Sequence, residues 1–423
     1  MDKIRTSLEI RAQWRPLLLL ILIGWFLLSS AYSSALHTTP GVTGIDFRLY
    51  YDAASRLLHH QPLYQFRAEG DTYVYPPPLA IALQPLAALP YERALNFWFF
   101  LTASCLTLSV LLYAVAARYT WRDLALIGVI LIIGYRFWPT TMNFALGQVN
   151  FFILLIVCAI YLADSRKLFT AISLLIACAA LVKTWMIGLL IYPLLRNRWR
   201  AAALGAVTYA VLLITSFALV GWHEWHTFST LTAGYANQTI GQIATTQSFP
   251  GFAYLHFGPN HHVDPLLAST LLHHCFILLG LAIIGSGFFY IYKNPPQPAS
   301  YEARLQLGLV ILSLLLLLPM CQSEYFVLCL PLLWTLLAPT PVTQGEPRLS
   351  LLVMAGSFAV YFTFTRSWPS PPIPEAYRHG LRSLTVSANF FAAFSLWLVT
   401  IYALIRTRFG KRGATQIQAT ALA

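Results

Sequence analysis

Residues 91–117 read YERALNFWFFLTASCLTLSVLLYAVAA, and Arg118 and Arg122 follow. After Arg93 no charged residue interrupts this run. At about 1.5 Å per residue, such a run is long enough to cross the ~30 Å hydrocarbon core of a bilayer. Lipid offers the backbone no hydrogen-bond partners, so the run must be a helix. Its basic end belongs on the cytoplasmic side.

Similar runs recur in both directions. An opening span is expected at 16–35, preceded by Lys3, Arg5, Arg11 and Arg15, which place the N-terminus inside. It is longer than a signal-peptide apolar core and reads as a retained helix. Further spans are expected at 124–138, 149–163, 168–182, 185–195, 201–220, 266–292, 305–319, 325–337, 349–364 and 384–405. Together they give about twelve crossings with both termini cytoplasmic. Roughly two thirds of the Lys and Arg residues then lie inside. The run at 76–90 carries prolines 76, 77, 78, 85 and 90, and is expected to be re-entrant or half-inserted. External loops are expected at 37–75, 221–263 and 366–382, within one transmembrane domain covering residues 1–423.

Composition agrees. Of 423 residues, 58% are hydrophobic and 10% charged, and the mean hydropathy is +0.64. Soluble domains carry about 25% charge. The net charge of +12 is scattered through short loops, which excludes a nucleic-acid surface. The six cysteines, Cys105, Cys158, Cys178, Cys275, Cys321 and Cys329, lie in or beside apolar runs without a CxxC pair, so no disulfide frame or thiolate metal site is expected. No cofactor is expected.

The first external loop holds Gly44-Ile45-Asp46-Phe47-Arg48-Leu49-Tyr50-Tyr51-Asp52-Ala53-Ala54. Phe47, Tyr50, Tyr51, Ala54, Leu57 and Leu58 follow helical spacing, so an amphipathic interfacial helix is expected. Asp46 at its start is either a general base or an N-cap. The loop closes on Tyr73-Val74-Tyr75-Pro76-Pro77-Pro78, where the prolines set a turn and Tyr75 is a candidate to face the site. Gln148 and Asn150 are candidates to bond a sugar or to bridge helices. Lys183, between two spans, is a phosphate ligand or an end anchor. His223, His226, His256, His261, His262, His273 and His274 lack acidic partners at ligand spacing, so no metal centre is expected. Trp222, Trp225 and Trp368 fit an interfacial belt or sugar platforms.

These motifs together resemble glycosyltransferase family 87. The match continues through Pro62-Leu63-Tyr64, Leu146-Gly147-Gln148-Val149-Asn150, Leu181-Val182-Lys183, Leu194-Leu195-Arg196-Asn197-Arg198-Trp199, and Gln247-Ser248 with Gly251-Phe252, covering about residues 15–335. The resemblance implies a GT-C fold in a bacterial inner membrane. It implies transfer of a sugar, mannose by default, from a polyprenyl phosphate to a lipid-linked or envelope glycan. Chemistry would run on the periplasmic face by a metal-independent inverting mechanism. The family's base falls on Asp46. Lys183, Arg366, Arg378, His379 and Arg382 are the cations offered to the leaving phosphate. Tyr50, Tyr75, Gln148, Asn150, Gln247 and Glu324 are the candidate substrate contacts. The family's late Trp-x-His-His stretch is missing. In its place stands Pro319-Met320-Cys321-Gln322-Ser323-Glu324-Tyr325-Phe326, with Glu324 either a second carboxylate of the site or an interface residue. A multi-helix flippase or transporter, or an envelope scaffold, are the competing classes.

Overall fold

The computed structural model describes residues 43–65, 72–119, 137–239, 246–260, 262–297, 300–337 and 373–421. The expected spans at 16–35 and 349–364, most of that at 124–138, and Arg366, Trp368 and His261 lie outside the described residues. The expected count of about twelve crossings rested partly on those segments.

Among the described residues all regular structure is helical. Helices α1 (Ile45–Leu58), α2 (Pro77–Ala87) and α3 (Tyr91–Ala116) come first. Next are α4 (Trp138–Leu146), α5 (Asn150–Ser165) and α6 (Phe169–Val182). A 3-10 segment, Thr184–Leu190, leads into α7 (Ile191–Leu195), followed by α8 (Trp199–Val220) and α9 (Trp222–Thr239). Then come α10 (Phe249–Phe257), α11 (Thr270–Lys293) and α12 (Tyr301–Leu317). A second 3-10 segment, Ser323–Cys329, leads into α13 (Leu330–Leu337), and a third, Gly380–Ser387, into α14 (Ala388–Ala421).

Among the described residues four segments are long and apolar enough to cross a bilayer: α3, α8, α11, and Gly380–Arg408, which joins the last 3-10 segment to the start of α14. Two of these, α8 and α11, leave their apolar sides uncovered. Val207, Ile214, Leu278 and Phe289 are 59%, 63%, 63% and 61% exposed. Such faces are stable against lipid and costly against water. The interior is built by α3 on α5, α5 on α6, α6 on α8, and α12 on α13 and α14.

Two local features position the site. The proline triplet initiates a helix rather than breaking one: Pro76 is the N-cap of α2, and Pro77 and Pro78 occupy its first turn, where no backbone donor is missed. At about 16 Å, α2 is too short to cross the hydrocarbon core. The second feature is a pair of interruptions. Lys183 leaves α6 in an extended conformation, φ −132° and ψ 106°, before the first 3-10 segment. Leu318, next to Pro319, ends α12 at ψ 133°, as a residue before proline prefers. Backbone of this kind inside a membrane bundle has to be enclosed by protein, and it is where Lys183 and Glu324 meet.

Candidate active site

α1 begins at Gly44, whose φ of 72° belongs to the left-handed region. Its N–H donates to the Ala145 carbonyl at 2.8 Å, tying α1 to the end of α4. α4 ends on Gly147, also left-handed at φ 71°. A Cβ on Gly147 would lie 2.8 Å from the Phe47 Cβ. The two glycines therefore let α1 seat against the α4–α5 turn. Trp98 of α3 donates from its indole N–H to the Gly147 carbonyl at 2.9 Å and stacks on Phe47 at 5.1 Å. Replacing Gly147 by alanine should cost about 1–2 kcal/mol in backbone strain before the clash is counted. A lower unfolding temperature in detergent is the expected reading.

Asp46 sits in the first turn of α1, where the helix N-terminus favours a carboxylate. The N-cap is Gly44, so capping is not the role of Asp46. Asp46 is half-buried, and its Oδ2 accepts from Gln148 Nε2 at 2.5 Å. The other end of that amide, Oε1, accepts from the Tyr75 hydroxyl at 3.2 Å and lies 3.3 Å from that of Tyr50. Tyr50 donates to the Tyr75 hydroxyl at 2.9 Å, the shorter of its two contacts. The helical spacing in α1 is confirmed by its buried residues, Phe47, Tyr50, Ala53 and Ala54. Burial holds both Tyr50 and Tyr75 well above the usual phenol range, so both are neutral donors.

Lys183 faces Asp46 from the interruption after α6. It is 5% exposed, and among the described residues its Nζ has no hydrogen-bond partner. The Nζ lies 3.7 Å from the Tyr325 ring centroid and 5.6 Å from that of Tyr75. Trp185 stacks on the far side of Tyr325 at 6.3 Å. Glu324 and Asp46 are the carboxylates that act on the lysine electrostatically. Glu324 is 4% exposed, which makes it an interior residue, and Asn143 of α4 donates to its carbonyl at 2.8 Å. A buried cation held by aromatic faces alone keeps its N–H donors free for an incoming anion.

A row of aromatic rings walls one flank. Trp225 and Phe228 of α9 meet at 5.5 Å, Phe228 meets Tyr64 at 5.9 Å, Tyr64 meets Tyr73 at 5.7 Å, and Tyr73 meets Tyr75 at 5.9 Å. Glu224 of α9 accepts the Leu63 N–H at 3.1 Å, fastening α9 to the first loop. The sequence reading treated 221–263 as a loop, whereas it contains this helix.

The other candidates are placed apart from Asp46 or already engaged. Gln247 is 1% exposed. Its amide donates to the Val386 carbonyl at 3.0 Å and accepts the Phe390 N–H at 2.9 Å, so it works as a clamp on the start of α14. Asn150 is fully buried in the first turn of α5, and among the described residues neither end of its amide has a partner. Arg382 is exposed, and Arg378 pairs with Glu375 at 3.4 Å. His379 holds two carboxylates, Asp264 on Nδ1 and Glu375 on Nε2, each at 2.6 Å. Carboxylates only accept, so both ring nitrogens must carry protons. The bonds from Glu375 and then Asp264 raise the imidazole above its usual range, and the bond from His379 lowers Glu375.

The sign follows. The His379 contribution is complete below the ordinary imidazole range and is lost as pH rises through the raised value. The Glu375 contribution is lost as pH falls through its lowered value. Hydrogen exchange at the Asp264 amide, which bonds to the Arg378 carbonyl at 2.8 Å, should be a few-fold faster at about pH 8 than at about pH 6 after correction for intrinsic rate. His379→Gln should remove that step.

Trp98, Asn143 and Trp185 escaped the sequence reading. Trp98 carried one usable signal, an indole N–H inside an apolar run that must find an acceptor. Among the described residues no group of His, Cys, Asp and Glu forms a metal site.

No curated protein matches the chain. The model of glycosyltransferase family 87 matches residues 73–319, a stretch containing Tyr75, Gln148 and Lys183, beginning after Asp46 and ending before Glu324. That stretch is more than half of the chain, and the chain belongs to glycosyltransferase family 87, the membrane glycosyltransferases.

Proposed function

We propose that the protein transfers a sugar, mannose by family default, from a polyprenyl-phosphate donor to a hydroxyl of a lipid-linked or envelope glycan. The fold is of the GT-C type with about twelve crossings and cytoplasmic termini, in a bacterial inner membrane with the site on the periplasmic face. Asp46 takes the proton of the acceptor hydroxyl. The oxygen attacks the anomeric carbon from the face opposite the phosphate, the carbon–oxygen bond to the phosphate breaks, and the lipid phosphate leaves with the bonding electrons. Configuration inverts, and no metal takes part.

The observation that carries this reading is a half-buried Asp46 acting electrostatically on a buried Lys183 whose Nζ, among the described residues, has no hydrogen-bond partner. One group accepts a proton, and the other meets the charge that develops on the departing phosphate. A lipid donor can enter sideways from the bilayer, past the exposed apolar helices. Among the earlier candidates, Lys183 is the cation best supported as the phosphate ligand. Arg378 and His379 are engaged with Glu375 and Asp264.

The test uses the full chain in lipid nanodiscs with EDTA, radiolabelled polyprenyl-phosphate-mannose and a membrane-glycolipid extract. Label appearing in a new glycolipid is the expected result. Label that stays on polyprenyl phosphate, while other polyprenyl-phosphate sugars do react, would discard mannose. Failure with every such donor, together with transfer from a nucleotide sugar, would sink the donor class.

A further inference from the structure

We propose that Gln148 is a positioning residue for Asp46: its amide sets the rotation of the carboxylate, and Tyr50 and Tyr75 set the amide. This rests on Asp46 being the base. The sequence reading left Gln148 as a sugar contact or a helix bridge. Its contacts with Asp46 and Tyr50 make it a bridge to α1, and that bridge ends on the carboxylate. Gln148 is 4% exposed, and both ends of its amide are occupied within the cluster.

The chain of bonds has a direction. A phenol O–H donates once, so Tyr50 donates to Tyr75 and Tyr75 donates to Gln148 Oε1. With its oxygen held by the Tyr75 O–H, the amide turns its N–H toward Asp46. A glutamate would set oxygen against oxygen. An aliphatic side chain would take the donor away from Oδ2.

One consequence follows for the base: the N–H donated to Oδ2 favours the ionised carboxylate. The other titratable or charged groups acting at the site are Tyr50 on the same helix, Tyr75 before α2, Lys183 after α6, and Glu324 and Tyr325 on the second 3-10 segment. All of them remain when Gln148 alone is changed.

The test needs no substrate. In full-chain protein in nanodiscs, the infrared carboxyl band that Asp46→Asn deletes is titrated in the wild type, Gln148→Met, Gln148→Glu and Tyr75→Phe. The midpoint should rise by about one pH unit in Gln148→Met, by more in Gln148→Glu, and by less in Tyr75→Phe. Gln148→Glu is close to isosteric and keeps the tyrosine acceptor, so it and Tyr75→Phe carry the test if Gln148→Met does not fold. An unmoved midpoint in the folded variants overturns the proposal, and so does an unmoved midpoint with a raised substrate KM, the mark of a sugar contact. The two readings fail separately. Retained transfer in Asp46→Asn removes the base, whatever the infrared shows. Lost transfer in Asp46→Asn with an unmoved Gln148 midpoint removes only the positioning role.

Discussion

Asp46→Asn should lower kcat about 10³-fold while the protein stays folded. Asparagine has the same shape as aspartate, and its carbonyl oxygen can still accept from Gln148 Nε2, the bond now made at 2.5 Å. The contacts that seat α1, namely Gly44 N–H on Ala145 and Phe47 on Trp98, do not involve the carboxylate. What disappears is the capacity to take a proton, because an amide does not accept one at neutral pH. Asp46→Glu keeps the charge but moves it by about 1 Å, and about a 10²-fold loss is expected from misplacement alone. Asp52→Asn supplies the control: the same helix loses the same charge six positions on, on a different face, and near wild-type rates are expected. Equal activity in the wild type and in folded Asp46→Asn would make another group the base, and Glu324 would be the next to examine.

Much of this helical chain could be read without coordinates, and the errors share a cause. Apolar runs near 91–117, 149–163, 168–182, 201–220 and 305–319 match α3, α5, α6, α8 and α12 within a few residues, because periodicity and charge alone define a span. The first loop's helix was equally legible, although its start was read at Asp46 and its N-cap is Gly44. What could not be read were meetings between distant residues. Nothing local to Gln148 says that it faces Asp46, and nothing local to Gln247 says that Val386 and Phe390 claim its amide. Helix α9 was missed although Trp225, Phe228 and Leu231 recur on its packed face, because the polar residues between them read as loop; it is fastened by contacts to Leu63 and Tyr64. The proline triplet was read as a turn into a segment too short to span, and the structure adds that these prolines form the first turn of that short helix.

Lys183→Met should reduce kcat by about 10²–10³-fold and raise the KM for the lipid donor, with little change in the KM for the acceptor. Lys183 is the buried cation of the cluster, its Nζ touches only aromatic rings, and the bond to the leaving phosphate is where charge grows during transfer. Lys183→Arg keeps the charge and can stack on Tyr325, but its larger, planar head places its N–H donors differently in a buried site, so only part of the rate should return. Stability separates this functional loss from a structural one. With the lysine gone, Glu324 is left buried without the opposite charge that now acts on it, and the unfolding temperature of Lys183→Met should fall. Adding Glu324→Gln removes that stranded charge. The double variant should recover unfolding temperature without recovering transfer. If activity returned along with stability, Lys183 would be a packing partner of Glu324 and the phosphate would be held elsewhere. If stability alone returned, the lysine is kept in its aromatic cage for the donor, and its burial is a strain that the fold carries for catalysis.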